Sequence, residues 1–206
     1  MIEKTLYIVR HGQTDLNKNG IVQGRGMNTD LNDEGRLQAQ LFYEAYQDIP
    51  FDKIYISTLK RTQQSIQPFI DKGLPFEKLA GLDELAWGIY EGKPNTPETK
   101  AAYLKLMRDW TAGKLDVKFE GGESPNEVQA RQKEALKVIM SKPDEENVLI
   151  CMHGRAMRLF LCLLTEKPLT EMEAFPHQNL VLYKVAYEDG KFRVVDFNNA
   201  IHLTHH

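Results

Sequence analysis

Segments typical of strands and of helices alternate through most of the chain, and this alternation restricts the fold more than any other feature. Apolar runs typical of buried strands occur at KTLYIV, FDKIYIS and NVLICMH, and the stretches between them have helical periodicity. Strands joined by helical crossovers form parallel sheets with helices on both faces. We therefore predict an α/β protein, a three-layer α/β/α sandwich around a mostly parallel central sheet.

Capping residues set the expected helix boundaries. Asn32 is expected to cap a helix that extends to Ile49, and a second helix is expected over residues 59–71. The stretch Ser124-Pro125-Asn126-Glu127 has the pattern of a capping box with proline at the first helical position, and it predicts a helix that ends at about Met140. This last boundary is the best defined by the sequence.

The chain is expected to form one domain over residues 1–206, since 206 residues with 42% hydrophobic side chains can bury a sizeable core. Stretches rich in glycine and proline flank a helical pattern at 97–112, so we predict a lid insertion over residues 94–121. For its aromatic and methionine residues we expect packing onto the sheet more than substrate contact. The final predicted element is a hairpin with Asp189-Gly190 as its turn.

Charge and cysteine content restrict the class of partner. A net charge of −3 gives no overall electrostatic attraction for nucleic acid or an anionic membrane. Cys151 and Cys162 lie in apolar stretches without metal-ligand spacing and are expected to be reduced core thiols. With neither a leader pattern nor an apolar run near the ~20 residues of a membrane span, we expect a cytosolic protein with a small-molecule partner, and we make no prediction of its oligomeric state.

Two of the predicted strands end on a histidine that is followed by glycine: His11-Gly12 and His153-Gly154. Parallel strands bring their carboxyl ends to one sheet edge, where α/β proteins bind ligands. Backbone N–H groups at Gly154, where a helix begins, also favour an anion. A single such histidine is more often a loop residue, but two in one sheet favour a shared site. A zinc site needs further ligands that the sequence does not supply.

Cations and a carboxylate accompany these histidines. Arg10 precedes His11, and Arg61 follows the strand FDKIYIS, where a solvated surface charge is the alternative. The guanidinium fork suits phosphate oxygens, so two arginines and two histidines indicate a phosphate pocket. In the stretch LDELAWG, Asp83 and Glu84 both fit the role of proton donor, and spacing alone does not choose between them.

These residues occur in motifs of known order, and the chain resembles the histidine phosphatase superfamily, the phosphoglycerate-mutase-like group, from about Leu6 to His202. Its Arg-His-Gly signature corresponds to residues 10–12. The other matching stretches are STLKRTQQS, LDELAWGIYEG, GGES and MHG. The resemblance assigns the proton donor to Glu84.

The resemblance also implies roles for the other residues. His11 is the nucleophile, phosphorylated on Nε2, while Arg10, Arg61 and His153 bind the phosphoryl group. It implies no metal and no cofactor. The nucleophile needs its other ring nitrogen held as a donor, and a backbone carbonyl is the expected partner. Secondary substrate contacts are expected from Asn17, Gln23 and Gly154.

Three functions fit the resemblance: a phosphomonoester hydrolase of a small metabolite, a cofactor-dependent phosphoglycerate mutase, and a non-catalytic phosphoprotein-binding scaffold. Mutases of the family follow the acid with Arg-His-Tyr-Gly, whereas Leu85-Ala86-Trp87-Gly88 follows Glu84 here. Apolar side chains therefore replace the charged ones that follow the acid in mutases, and this favours hydrolysis over the mutase reaction. The scaffold is disfavoured because such proteins lose a core residue, and all five are present.

Overall fold

The computed structural model describes residues 3–204 and contains a six-stranded sheet. The strands are β1 (Lys4–Arg10), β2 (Lys53–Ile56), β3 (Phe76–Lys78), β4 (Asn147–Met152), β5 (Leu182–Glu188) and β6 (Lys191–Asn199), in the order β3-β2-β4-β1-β5-β6. The four strands from β3 to β1 are parallel, and β5 and β6 are antiparallel additions at one side. The prediction of a mostly parallel sheet is confirmed.

Helices cover both faces of this sheet. They are α1 (Asp15–Lys18), α2 (Asp33–Tyr46), α3 (Lys60–Asp71), α4 (Pro97–Thr111), α5 (Pro125–Met140) and α6 (Gly154–Thr165), with short 3₁₀ turns at Ala80–Leu82, Gly88–Tyr90, Leu169–Ala174 and Ile201–Leu203. Buried residues of α2 and α3 form one apolar cluster with alternate strand residues, and those of α4, α5 and α6 form a second cluster on the opposite face. The three-layer α/β/α prediction is therefore confirmed.

The helix that Asn32 caps ends earlier than expected. Asn32 accepts a hydrogen bond from Gly35 N, 2.9 Å away, as an N-cap does. The helix stops at Tyr46 rather than Ile49. Ile49 precedes Pro50, and proline disfavours the helical conformation of the residue before it. The predicted end is therefore wrong by three residues.

At Ser124 only half of the predicted capping box forms. The Ser124 side chain accepts from Glu127 N at 3.3 Å, and Pro125 is the first helical residue. The Glu127 carboxylate turns instead to Lys118, whose Nζ lies 2.6 Å from Oε1. The sequence predicts the helix boundary correctly but not the ion pair, because Lys118 lies outside the motif.

The C-terminal hairpin has the predicted turn. Asp189 and Gly190 have φ values of 51° and 79°, as a two-residue turn with positive φ at both positions requires. The two cysteines are free and buried, as expected. Within the described range, 3–204, no helix is both long and apolar enough to cross a membrane.

Candidate active site

The two histidine-bearing strand ends meet at the carboxyl edge of the sheet. Strands β1 and β4 are direct neighbours, with Arg10 paired to Met152, and His11 N donates to Met152 O at 3.0 Å. The next residue along β4 is His153, and its ring centroid lies 5.1 Å from that of His11. The parallel arrangement alone thus brings the two imidazoles into contact.

His11 is buried and is held as a neutral imidazole. Its Nδ1 lies 2.7 Å from Gly12 O, and because a carbonyl only accepts, Nδ1 carries the proton and Nε2 keeps a lone pair. Burial, and then the charges of Arg61 and Arg10, lower the pKa of His11 well below 6.5. An unprotonated Nε2 is the form that attacks phosphorus.

Arg61 is fully buried, so the alternative of a solvated surface charge is wrong. Its guanidinium donates to Gly24 O at 3.2 Å and to Met27 O. Burial lowers its pKa to about 10, so it stays charged at neutral pH. Within residues 3–204, Nε of Arg61 and Nε of Arg10 are both buried without a hydrogen-bond partner. Buried donors left unpaired cost free energy, which an anion between the two arginines would recover.

The second histidine, His153, contacts a hydroxyl group that the sequence analysis did not identify. Its Nε2 lies 2.8 Å from Ser57 Oγ, at the end of β2. Its Nδ1 is buried with no partner in the described part of the chain. Burial, and then Arg61 and His11, lower the pKa of His153 well below 6.5, so the ring is neutral. In the tautomer in which Nε2 accepts from Ser57, the Nδ1–H is available to a phosphoryl oxygen.

Asp83 and Glu84, equivalent in the sequence, have different surroundings. One Asp83 oxygen accepts from Thr58 N and from Thr58 Oγ1, each at 2.8 Å, and the other pairs with Arg25 Nε at 3.0 Å. Asp83 does not line the cavity at this edge, whereas Glu84 does. The structure therefore gives Asp83 a bridging role and leaves Glu84 at the cavity wall.

The Glu84 carboxylate sits at the N-terminus of α6. Its Oε1 accepts from Leu85 N at 2.8 Å and from Ala156 N at 2.9 Å, and its Oε2 accepts from Arg155 N at 3.1 Å. Each carboxylate oxygen has two lone pairs, so Oε1 is saturated and Oε2 keeps one free. That remaining position on Oε2 is where a transferable proton would reside.

Gly154 retains one free donor of the helix start. Because Glu84 takes the N–H groups of Arg155 and Ala156, Gly154 N is the first-turn donor that has no acceptor within the described chain. Gly154 also lines the cavity. The prediction of backbone donors for an anion thus reduces to this single N–H group.

The cavity at this edge of the sheet has a volume of about 410 Å³, and its lining includes Arg10 and Glu84 but not His11, Arg61 or His153. Asn17 and Gln23 both line it, and their role as secondary substrate contacts stays a prediction. Asn17 Oδ1 accepts from Thr14 N and from Asn179 Nδ2, each at 3.2 Å, while Gln23 bonds the hydroxyl of Thr14. Both amides are therefore held in place by their neighbours.

The predicted lid segment forms one wall of this cavity. The lining residues that it contributes are Asn95, Thr99, Lys100, Tyr103 and Phe119. Further along the same face of α4, toward its C-terminal end, Leu106 and Trp110 are buried in the core, and the ring centroids of Trp110 and Trp87 are 5.8 Å apart. Packing dominates for Trp110, as expected, but Tyr103 faces the cavity.

Besides Ser57, sequence reasoning missed four residues near the site. The side chain of Arg131 donates to the carbonyl oxygens of Asp83 and Glu84, at 2.9 and 3.0 Å. Asn179 Nδ2 donates to His11 O at 3.0 Å, Arg155 Nη2 donates to the hydroxyl of Tyr103, and His177 Nδ1 lies 3.2 Å from Arg10 Nη1. They come from α5, the start of α6 and the loop before β5, where no local pattern marks them.

Metal-ligand geometry is not found at this edge. In residues 3–204 the structure has no group of three or more histidine, cysteine, aspartate or glutamate side chains placed to hold a metal ion. The charges of Arg10 and Arg61 both act on the two histidines and lower their pKa values.

Comparison with known proteins gives matches over nearly the whole chain. The family model of the histidine phosphatase superfamily (branch 1) matches residues 6–200. Phosphoserine phosphatase 1 of Hydrogenobacter thermophilus is 28% identical over 199 residues, 96% of this chain and 93% of that protein. "Probable phosphoglycerate mutase GpmB" of Yersinia pestis is 30% identical over 189 residues, 90% of this chain and 86% of that protein. The solved structure of Bacillus stearothermophilus YhfR, at 25% identity, has a TM-score of 0.84 and covers 97% of this chain and 99% of that one.

Proposed function

The chain belongs to the histidine phosphatase superfamily and is a phosphatase of small phosphorylated metabolites, and we propose that hydrolysis proceeds through a phosphohistidine on Nε2 of His11. One observation carries this proposal. Nε2 of His11 keeps a free lone pair, and the three residues that surround this ring, Arg10, Arg61 and His153, each have a buried nitrogen without a partner in residues 3–204.

The reaction requires two transfers of the phosphoryl group. His11 Nε2 attacks phosphorus, the bond from phosphorus to the leaving oxygen breaks, and Glu84 gives its proton to that oxygen. Water then attacks the phosphohistidine, Glu84 accepts a proton from it, and phosphate leaves. The charge on the phosphoryl oxygens is stabilised throughout by Arg10, Arg61 and the Nδ1–H of His153.

Two lysines at the cavity wall favour substrates whose leaving group carries an anionic group. Trp87 and Leu85 replace the charged residues of the mutase pattern, but other segments contribute cations: Lys93 and Lys100 line the cavity. Neither lysine forms an ion pair with an acidic side chain of residues 3–204. Uncompensated cations at a cavity wall favour a carboxylate or a second phosphate on the bound molecule.

Phosphate release from matched pairs of esters tests this proposal. O-phosphoserine and O-phosphoethanolamine differ by one carboxylate, and we expect the first to have the higher kcat/KM. The double variant Lys93→Ala/Lys100→Ala should remove that preference while leaving p-nitrophenyl phosphate hydrolysis nearly unchanged. An unchanged preference in the double variant would contradict an anion subsite at these lysines.

The same assay separates the alternatives. A mutase predicts isomerised phosphoglycerate and stimulation by 2,3-bisphosphoglycerate, whereas a hydrolase predicts free phosphate without it. A phosphate-binding scaffold predicts no turnover with any ester. His11→Ala is the control variant, since activity that survives it belongs to a contaminant or to another mechanism.

Metal independence, a cytosolic location and the absence of nucleic-acid or membrane partners stay predictions from the sequence. The first has a direct test. Activity should persist in EDTA, and vanadate, which mimics five-coordinate phosphorus, should inhibit competitively. Activity lost in EDTA and restored by added zinc or magnesium would refute the arginine-based mechanism.

A further inference from the structure

His177 occupies a position between the phosphate-binding arginine and the start of α6. Its Nδ1 lies 3.2 Å from Arg10 Nη1. The ring also lies directly over Gly154, where an added Cβ would come within 2.5 Å of the imidazole Cε1. Both neighbours line the cavity together with His177 itself. The ring is thus part of the cavity wall and touches two groups of the proposed phosphate site.

The contact with Arg10 determines where His177 carries its proton. A guanidinium only donates hydrogen bonds, so Nδ1 must present its lone pair to Arg10. Burial, and then the charges of Arg10, Arg158 and Arg155, lower the pKa of His177 to about 2, so the ring is neutral at working pH. A neutral imidazole with a free Nδ1 carries its one proton on Nε2.

That Nε2–H group has no acceptor among the described residues. No hydrogen bond from it is present within residues 3–204, and it is not among the fully enclosed unpartnered atoms, unlike Nδ1 of His153. Because His177 lines the cavity, this donor is accessible to a molecule bound there.

We propose that His177 is a further substrate-binding and positioning residue, which holds Arg10 through Nδ1 and donates Nε2–H to an oxygen of the bound phosphomonoester. The inference rests on the proposed function, since the bound molecule is the substrate of that site. The alternative is a space-filling role, in which the ring only covers Gly154.

Three variants separate the two hydrogen bonds from ring volume. His177→Phe keeps a ring of similar size and loses both bonds. His177→Asn places an amide oxygen near the position of Nδ1 and keeps an acceptor for Arg10. His177→Gln extends far enough to place its amide nitrogen near the position of Nε2 and keeps a donor for the substrate.

We expect His177→Phe to lose roughly tenfold to a hundredfold in kcat/KM, since hydrogen bonds to charged groups are among the stronger ones. The Asn and Gln variants should each recover part of this loss, with melting temperatures close to that of His177→Phe. Space filling predicts the opposite order, with the Phe variant best.

A Phe variant as active as the wild type, or at least as active as both amide variants, would overturn the inference. If only His177→Asn recovers activity, the proposed hydrogen bond from Nε2–H to the substrate is wrong. If only His177→Gln recovers activity, the proposed positioning of Arg10 through Nδ1 is wrong. Calorimetric titration of inorganic phosphate into the same variants should give the same order in Kd. Should the wild type hydrolyse no ester, the proposed function fails, while the phosphate Kd values still test His177.

Discussion

Replacing Glu84 by glutamine tests the assignment of the proton donor most sharply, because glutamine keeps the shape and removes the transferable proton. In the wild type, Oε1 accepts two backbone N–H groups and Oε2 accepts one from Arg155 N. In Glu84→Gln the amide oxygen can take the site with two donors, which leaves the amide nitrogen facing the Arg155 N–H. The hydrogen bond from Arg155 N is therefore lost together with the acid, and this N–H group is left without an acceptor.

The two losses have different magnitudes and different readouts. Loss of the hydrogen bond should lower the free energy of unfolding by about 1.5–3 kcal/mol, which in a chain of this size lowers Tm by roughly 3–12 °C. Loss of the acid depends on the leaving group, because an alkoxide needs a proton and p-nitrophenolate leaves largely unaided. We expect alkyl phosphates to lose about 10- to 100-fold more than p-nitrophenyl phosphate, within the usual range of acid catalysis.

The assay is kcat/KM for both esters in the wild type and in Glu84→Gln, at a temperature where both are folded. Arg61→Ala is the control, since in the proposed mechanism this arginine stabilises the phosphoryl group of every substrate and its loss should reduce both rates equally. Equal losses in Glu84→Gln would refute the acid role. The carboxylate would then serve only to hold the start of α6, as its three backbone contacts also permit.

Three further predictions concern the buried histidines. His11→Ala should abolish phosphate release while circular dichroism stays that of the wild type, and any substantial residual rate would argue against His11 as nucleophile. NMR titration should give His11 a pKa well below 6.5. Arg61→Gln should raise this pKa because a repelling cation is removed. A wild-type pKa near 6.5 would contradict the effect of burial and of the two arginines. The folded-state pKa values of His11, His153, His177 and His202 are all lowered, so the unfolded chain takes up these protons first. The free energy of unfolding should therefore be highest above about pH 6.5. Below that pH it should fall by up to ~1.4 kcal/mol per pH unit for each histidine. Urea unfolding at pH 7.5 and 5.5 measures this fall, and an unchanged unfolding midpoint would contradict the prediction.

The part of the site that the sequence predicts is the part that follows from strand order. Arg10, His11 and His153 each lie at the end of an apolar run, and parallel neighbours place such ends side by side whatever the details of packing. The fold is predictable for the same reason, since alternation of strands and helices restricts the topology to few arrangements. Boundaries set by single residues, such as the end of α2 before Pro50, are less predictable.

The choice between Asp83 and Glu84 cannot be made from the local sequence pattern. The two carboxylates are adjacent and both precede apolar residues, so their own sequence does not distinguish them. What separates them is Thr58 and Arg25, which bind Asp83, and the start of α6, which binds Glu84. Each of these partners lies far along the chain, so its effect is visible only in three dimensions.

Substrate preference depends even more on distant residues. In the sequence, the charge near the acid can be assessed only from the residues that follow Glu84, and these are apolar. The cavity nevertheless receives Lys93 and Lys100 from the segment around the start of α4, and His177 from the loop before β5. A charge deficit in one motif therefore does not establish an uncharged cavity, because each wall is built from a different part of the chain. Discrimination between hydrolysis and mutase chemistry should accordingly be sought in how these three side chains hold the leaving group and admit water, and less in the residues adjacent to the acid.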